Sequence, residues 1–190
     1  MLTDNKKLFA IDADSLMNAY IPKLDYRVET LLPQGLSILG GAPKVGKSMM
    51  VLHMCDCVSK GVDFLGLKTN KSGVLYISLE DTERRLQSRL FDISDEGTEN
   101  LFLVTEALTL GTGLIEQLTD FITENPNVKL IVIDTFQLVR DANTDMSYSN
   151  DYKDMSMLKH FADEFGLSIL LVMHLRKQND SDPFNRIAGT

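Results

Sequence analysis

The sequence predicts an α/β fold in which a mainly parallel β-sheet carries helices on both faces. Between its strands, apolar residues recur at the spacing of amphipathic helices. Alternating strands and helices of this kind build parallel sheets, which bind ligands beyond the carboxyl ends of their strands. Five short segments are almost continuously apolar, as strands buried on both faces are: residues 36–40, 74–79, 101–104, 130–133 and 169–173.

The first half of the predicted sheet contains two strands, each followed by a helix. The strand at 36–40 enters a glycine-rich turn. Apolar positions within residues 50–58 then predict a helix that ends before Gly61, a common C-terminal stop. The strand at 74–79 leads into a charged helical stretch over residues 82–91.

The second half repeats this alternation. Pro126 ends one predicted helix, because the residue before a proline disfavours the helical conformation, and Gly166 ends the next. Residues 1–30 fit the pattern less well and are expected to form an N-terminal arm with a short helix around residues 15–20. The α/β domain is expected to span residues 31–190. Its remaining predicted elements are a strand at 101–104, a helix at 114–122, a strand at 130–133, a helix at 155–165 and a strand at 169–173.

Length and composition limit the class of protein. A chain of 190 residues with 44% hydrophobic and 24% charged residues can fold around a single core. It has no apolar run of about 18 residues and no signal-peptide pattern at its start, so no membrane association is expected. Its two cysteines, Cys55 and Cys57, indicate core packing and a reducing, cytoplasmic location. The net charge of −8 argues against a broadly basic nucleic-acid surface but leaves room for a local basic loop.

A phosphate-binding motif follows the first predicted strand. Residues 41–48 match the pattern G-x-x-x-x-G-K-[ST] and lie between a strand and a helix, as the motif requires. Its glycines let backbone N–H groups surround a β-phosphate, and Lys47 brings charge to the β- and γ-phosphates. The Ser48 hydroxyl can bind Mg²⁺. The alternative is a glycine-rich structural turn. The predicted nucleotide-binding residues are Gly41, Ala42, Pro43, Lys44, Val45, Gly46, Lys47, Ser48 and Met49.

Carboxylates follow two further strands. Asp134 ends the strand at 130–133, where a Walker B aspartate would hold Mg²⁺ directly or through water; alternatively it caps a helix. Glu80 follows the strand at 74–79 and could orient and polarise the water that attacks a γ-phosphate. The alternative is a capping carboxylate for the next helix, a role that suits Asp81 better than Glu80.

His174 follows the last predicted strand, where it could contact the γ-phosphate or the attacking water and sense their loss. Otherwise it is a hydrogen-bonded surface histidine. The polar segment 175–183 comes next and begins with the cations Arg176 and Lys177. This segment is either a solvated surface loop or a loop that contacts nucleic acid at the centre of a ring, where repeated copies add their phosphate contacts.

Together these residues resemble the RecA-like ATPases and, among them, the RepA-type hexameric helicases, which are relatives of the DnaB replicative helicases. The resemblance extends over residues 26–190. It implies that Glu80 is the catalytic base and that Lys47 and His174 also act in catalysis. Residues 31–48 are similar to the family's first strand and Walker A motif, 74–81 to its second motif, 131–135 to its Walker B motif and 173–177 to its histidine-containing sensor motif. Residues 182–190 are similar to the segment after the family's DNA-facing loop, and Arg84, Arg85, Arg89 and Leu90 fall where the family's helix after the second motif is similarly charged.

The resemblance implies ATP and Mg²⁺ as cofactors, a homo-oligomer that forms a hexameric ring, and single-stranded DNA as a partner contacted by Arg176 and Lys177. The implied function is ATP hydrolysis by a RepA-type replicative helicase or a plasmid or phage replication protein. Alternatives are a regulatory or recombination ATPase that does not unwind DNA, a nucleotide-binding regulator, and a small-molecule kinase, for which no acceptor-site signature is present. Because the family continues with further strands and an arginine finger, we expect a C-terminally truncated domain, in which Arg186 is the nearest candidate finger.

Overall fold

The computed structural model describes residues 9–21, 23–140 and 148–174. In these ranges the chain forms a five-stranded parallel sheet with helices on both faces, which confirms the predicted fold class. The strands are β1 (Tyr26–Val28), β2 (Leu32–Pro33), β3 (Gly35–Gly41), β4 (Gly73–Ser78), β5 (Leu101–Val104), β6 (Val128–Asp134) and β7 (Ser168–His174). The helices are α1 (Ala13–Asn18), α2 (Lys47–Lys60), α3 (Glu83–Ile93), α4 (Leu114–Glu124) and α5 (Tyr148–Phe165), with a 3₁₀ turn at Phe136–Leu138.

The strand order is β3-β7-β6-β4-β5, and every neighbouring pair is parallel. All five carboxyl ends therefore lie along one edge of the sheet. The register places Gly41 of β3 opposite His174 of β7, and Ser78 of β4 opposite Asp134 of β6. Residues that are far apart in the sequence are thereby brought to the same edge.

The sheet separates two apolar cores. Because side chains alternate along a strand, Leu75 and Ile77 face one side of β4, and Val74 and Tyr76 face the other. The first face packs against α4 and α5, and the second against α2 and α3. Burial on both faces explains why these strands are continuous apolar runs in the sequence.

The N-terminal part contains the expected short helix and one strand that was not expected. Helix α1 occupies Ala13–Asn18 and begins at Asp12, whose side chain accepts a hydrogen bond from the Ser15 N–H at 2.9 Å. No residue of α1 is buried. The unexpected strand is β1, which pairs antiparallel with β2 and carries the fully buried Val28. The division of the chain at residue 30 stays a prediction.

Candidate nucleotide-binding site

A cleft of about 400 Å³ opens at the carboxyl edge of the sheet. It brings together most of the phosphate-binding motif with Glu80 and His174, which come from three separate segments of the sequence and were predicted to share a site. It also contains Arg89 from α3, which was not predicted to belong to the site. The lining residues are Pro43, Lys44, Gly46, Lys47, Ser48, Met49, Glu80, Arg89 and His174.

The backbone of the phosphate-binding motif turns tightly between β3 and α2. Lys44 and Gly46 have φ values of 63° and 88°, in the left-handed region, and α2 begins directly afterwards at Lys47. Gly41 is packed closely against Lys47, because a Cβ atom at Gly41 would lie 3.1 Å from Lys47 Cδ. The first turn of α2 therefore presents its unpaired N–H groups to the cleft, as an anion-binding helix terminus does.

Lys47 is buried at the base of the cleft, and its side chain is bonded to the motif itself. Its Nζ donates to the carbonyl oxygens of Gly41 and Ala42, each at 2.9 Å, and lies 3.2 Å from His174 Nδ1. Only 7% of Lys47 is exposed to solvent. The ammonium group is therefore fixed by the backbone of the motif itself.

His174 links Lys47 to Glu80. Nδ1 of His174 lies 3.2 Å from Lys47 Nζ, and Nε2 lies 3.5 Å from Glu80 Oε1. The Glu80 side chain remains 53% exposed and is open to the cleft. The three side chains form a continuous polar chain, Lys47–His174–Glu80.

Asp134 lies at the end of β6 and is 4% exposed. Its Oδ2 accepts a hydrogen bond from the Tyr76 hydroxyl at 2.7 Å. Burial, reinforced by the neighbouring Asp134 carboxylate, raises the pKa of Tyr76 far above its usual range, so Tyr76 is a permanent donor. The peptide bond between Asp134 and Thr135 is cis.

The donor set at this edge suits Mg²⁺. Mg²⁺ prefers oxygen ligands, keeps several waters, and is bound by one or two protein oxygens together with substrate phosphates. The Ser48 hydroxyl and the Asp134 carboxylate supply oxygens of this kind. Within the described ranges no three His, Cys, Asp or Glu side chains cluster as a self-sufficient metal site.

Asp81 does not cap α3, so the capping role considered for it was wrong. The cap is Thr82, whose Oγ1 accepts from the Arg85 N–H at 3.3 Å. The Asp81 carboxylate is buried and instead accepts hydrogen bonds from Ser78 Oγ at 3.1 Å, from Arg85 Nη1 at 3.2 Å and from Arg89 Nη1. This buried carboxylate holds Arg89 at the wall of the cleft.

Both cysteines pack in the core beneath α2. Burial, followed by the charge of Asp134, raises the pKa of Cys55 well above its ordinary value. Burial, followed by the charge of Asp56, also raises the pKa of Cys57. Neither thiol has the electropositive, exposed environment of a reactive cysteine.

The predicted nucleic-acid contacts, Arg176 and Lys177, lie outside the described residues, as does Arg186. In the part of the chain that is described, no helix has the length and apolar character needed to cross a bilayer.

A family model described as "AAA domain" matches residues 4–180, which is nearly the whole sequence. The chain belongs to the AAA domain family. A search of curated proteins finds no match to this AAA domain.

Solved structures share its fold. The "ATPase Domain of G40P" is 18% identical, with a TM-score of 0.59 over 79% of this chain and 62% of that chain. A "DnaB-Like Replicative Helicase", solved with attention to its interactions with primase, is 18% identical, with a TM-score of 0.58 over 79% of this chain and 43% of that chain. At this identity the likeness concerns the fold, and the RecA-like fold expected from the sequence is confirmed. This AAA domain spans less than two thirds of the length of either structure.

Proposed function

We propose that this AAA domain binds ATP with Mg²⁺ in the cleft and hydrolyses it, as the motor domain of a RepA-type replicative helicase or replication protein. The observation that carries the proposal is the Lys47–His174–Glu80 chain, which joins a phosphate-binding lysine to a carboxylate across one cleft. A structural glycine-rich turn would need neither the buried lysine nor the facing carboxylate.

Each residue of the cleft has a role in this proposal. Lys47 exchanges the carbonyl oxygens of Gly41 and Ala42 for β- and γ-phosphate oxygens, which hold a full negative charge and bind an ammonium group more strongly. Ser48 and Asp134 hold Mg²⁺, which neutralises charge on the phosphates. Arg89 adds a further cation to the lining of the cleft.

Glu80 is placed to act as the base. Its exposed carboxylate faces the cleft, where it can accept a proton from an attacking water. His174 lies between Lys47 and that carboxylate, where its side chain can orient Glu80. When Lys47 binds a phosphate, its contact with His174 must change. Binding in the cleft therefore alters the surroundings of His174 at the end of β7.

The helicase part of the proposal rests on three supports. The fold is shared with a DnaB-like replicative helicase. The cations proposed to contact single-stranded DNA, Arg176 and Lys177, come two and three residues after the proposed sensor His174 in the sequence. The acidic total charge of −8 restricts DNA contact to such a short segment, repeated by symmetry in a homo-oligomeric ring.

Steady-state phosphate release with and without single-stranded DNA tests the proposal. Glu80→Gln should lower hydrolysis by about 10²- to 10⁴-fold and leave ATP binding intact, since general base catalysis contributes that much. Glu83→Gln, a change at an exposed glutamate of the next helix, is the matched control and should have no effect. Unchanged hydrolysis in Glu80→Gln would refute the assignment of the base.

An assay of strand separation on a forked duplex then distinguishes the candidate functions of this ATPase. Unwinding supports the helicase. DNA-stimulated hydrolysis without unwinding indicates a recombination or regulatory ATPase, and binding of ATP without hydrolysis indicates a nucleotide-dependent regulator.

A further inference from the structure

Tyr76 occupies the buried side of Asp134. The two residues belong to neighbouring strands β4 and β6, where Tyr76 pairs with Val132, two residues before Asp134. Both therefore lie on the same face of the sheet, and the Tyr76 hydroxyl extends towards the carboxyl edge to reach Oδ2 at 2.7 Å. Tyr76 is fully buried.

Packing alone does not account for this hydroxyl. The Tyr76 ring lies in the apolar core beneath α2, among residues such as Leu52 and Val132, where a phenylalanine ring would fill the same space. A buried tyrosine hydroxyl needs a hydrogen-bond partner, and the Tyr76 hydroxyl has one in the Asp134 carboxylate at the carboxyl end of β6. The hydroxyl therefore acts on Asp134 and not on the core.

The hydrogen bond leaves one carboxylate oxygen for a metal. Oδ2 of Asp134 is engaged by Tyr76, whereas no donor among the described residues is bonded to Oδ1. An aspartate held in this way can offer a single oxygen, directly or through one water. Mg²⁺ demands near-octahedral geometry and accepts such a ligand, whereas Ca²⁺ tolerates irregular geometry and often takes both oxygens of a carboxylate.

We propose that Tyr76 is a positioning residue that holds Asp134 for one-oxygen coordination and thereby sets the preference of the site for Mg²⁺ over Ca²⁺. The inference rests on the proposed Mg²⁺–nucleotide site. Hydrogen bonds that orient a metal-binding carboxylate are worth about 10- to 100-fold in metal affinity or activity. Without the hydroxyl, Asp134 is free to rotate and to present both oxygens.

The test is calorimetric binding of a non-hydrolysable ATP analogue to the 190-residue chain in EDTA, in Mg²⁺ and in Ca²⁺. The dissociation constant of the analogue in EDTA, divided by its dissociation constant in the presence of a metal ion, gives the contribution of that metal ion to binding. Tyr76→Phe should leave the EDTA value unchanged and lower the Mg²⁺ contribution by about tenfold. The contribution of Ca²⁺ to binding should fall by a smaller factor. The ratio of the Mg²⁺ contribution to the Ca²⁺ contribution, which measures the preference for Mg²⁺, should therefore decrease. Tyr152→Phe, at a tyrosine that is 71% exposed, is the control and should match the wild type.

A double-mutant comparison separates positioning from packing. If Tyr76 acts through Asp134, then Tyr76→Phe changes nothing further in an Asp134→Asn background. The inference is overturned if Tyr76→Phe keeps the full Mg²⁺ contribution and preference, if it weakens binding in EDTA as well, or if its effect persists in Asp134→Asn. A wild-type chain that binds the analogue with no help from Mg²⁺ overturns this inference and the metal part of the proposed function but leaves ATP binding in the cleft, whereas a wild-type chain that does not bind the analogue at all overturns the proposed function as a whole.

Discussion

Arg89 offers a sharp test of the cleft, because Arg85 supplies a matched control. Both guanidinium groups bind the buried carboxylate of Asp81, but only Arg89 lines the cleft. Arg89→Ala and Arg85→Ala each remove one cation from Asp81, which keeps Ser78 and the other arginine as partners. A difference in nucleotide binding between the two variants therefore reports on the cleft itself.

The size of the effect follows from the exposure of the arginine. A hydrogen bond to a charged group contributes about 1.5–3 kcal/mol. The Arg89 side chain is 27% exposed and must share its donors with Asp81, so we expect a contribution at or somewhat below the lower end of that range, about 1–2 kcal/mol. This corresponds to about 5- to 30-fold weaker binding of ATP.

Competition of ATP against a fluorescent nucleotide measures this loss, with thermal unfolding as the check that each variant is folded. We expect Arg89→Ala to weaken ATP binding by the stated factor and Arg85→Ala, whose side chain is 61% exposed, to remain close to the wild type. Equal effects in the two variants would show that Arg89 serves only to hold Asp81.

Three further outcomes are expected. His174→Ala should lower hydrolysis by about 10²-fold while ATP still binds, because Glu80 loses the group that orients it; phosphate release and nucleotide titration measure the two properties. The thiols of Cys55 and Cys57 should fail to react with a thiol reagent at neutral pH until the protein is unfolded, since burial raises the pKa of both; rapid reaction of the native protein would contradict this. Leu171→Ala should lower the free energy of unfolding by about 2–5 kcal/mol, because Leu171 is fully buried. Denaturant titration measures this free energy of unfolding. In that titration Leu24→Ala, at a position 57% exposed, should change the free energy of unfolding by less than about 0.5 kcal/mol.

The main elements of the fold could be predicted because their physical signals are local. Strands buried on both faces must be continuously apolar, and helices that cover a sheet must be apolar at helical spacing. Strand β1 escaped prediction because it has only three residues, too few to show a period. The capping of α3 was misassigned because Thr82 and Asp81 are adjacent residues that both favour helix N-termini.

The candidate site could be predicted only as far as its residues follow strands. Asp134 and His174 end strands β6 and β7, Glu80 comes two residues after β4, and the parallel sheet carries all three to one edge. Arg89 was not assigned, because its place in the cleft depends on the direction in which α3 crosses the sheet. The bond from Tyr76 to Asp134 joins residues 58 positions apart and depends on the strand order, which hydrophobic periodicity does not encode.

The central claim is that the cleft binds the phosphates of ATP through Lys47, and nucleotide titration of Lys47→Ala tests it most directly. Two phosphate contacts of about 1.5–3 kcal/mol each predict at least about 100-fold weaker ATP binding. Lys23→Ala, at an exposed lysine of the N-terminal part, should bind ATP as the wild type does. Normal ATP binding by folded Lys47→Ala would contradict the account.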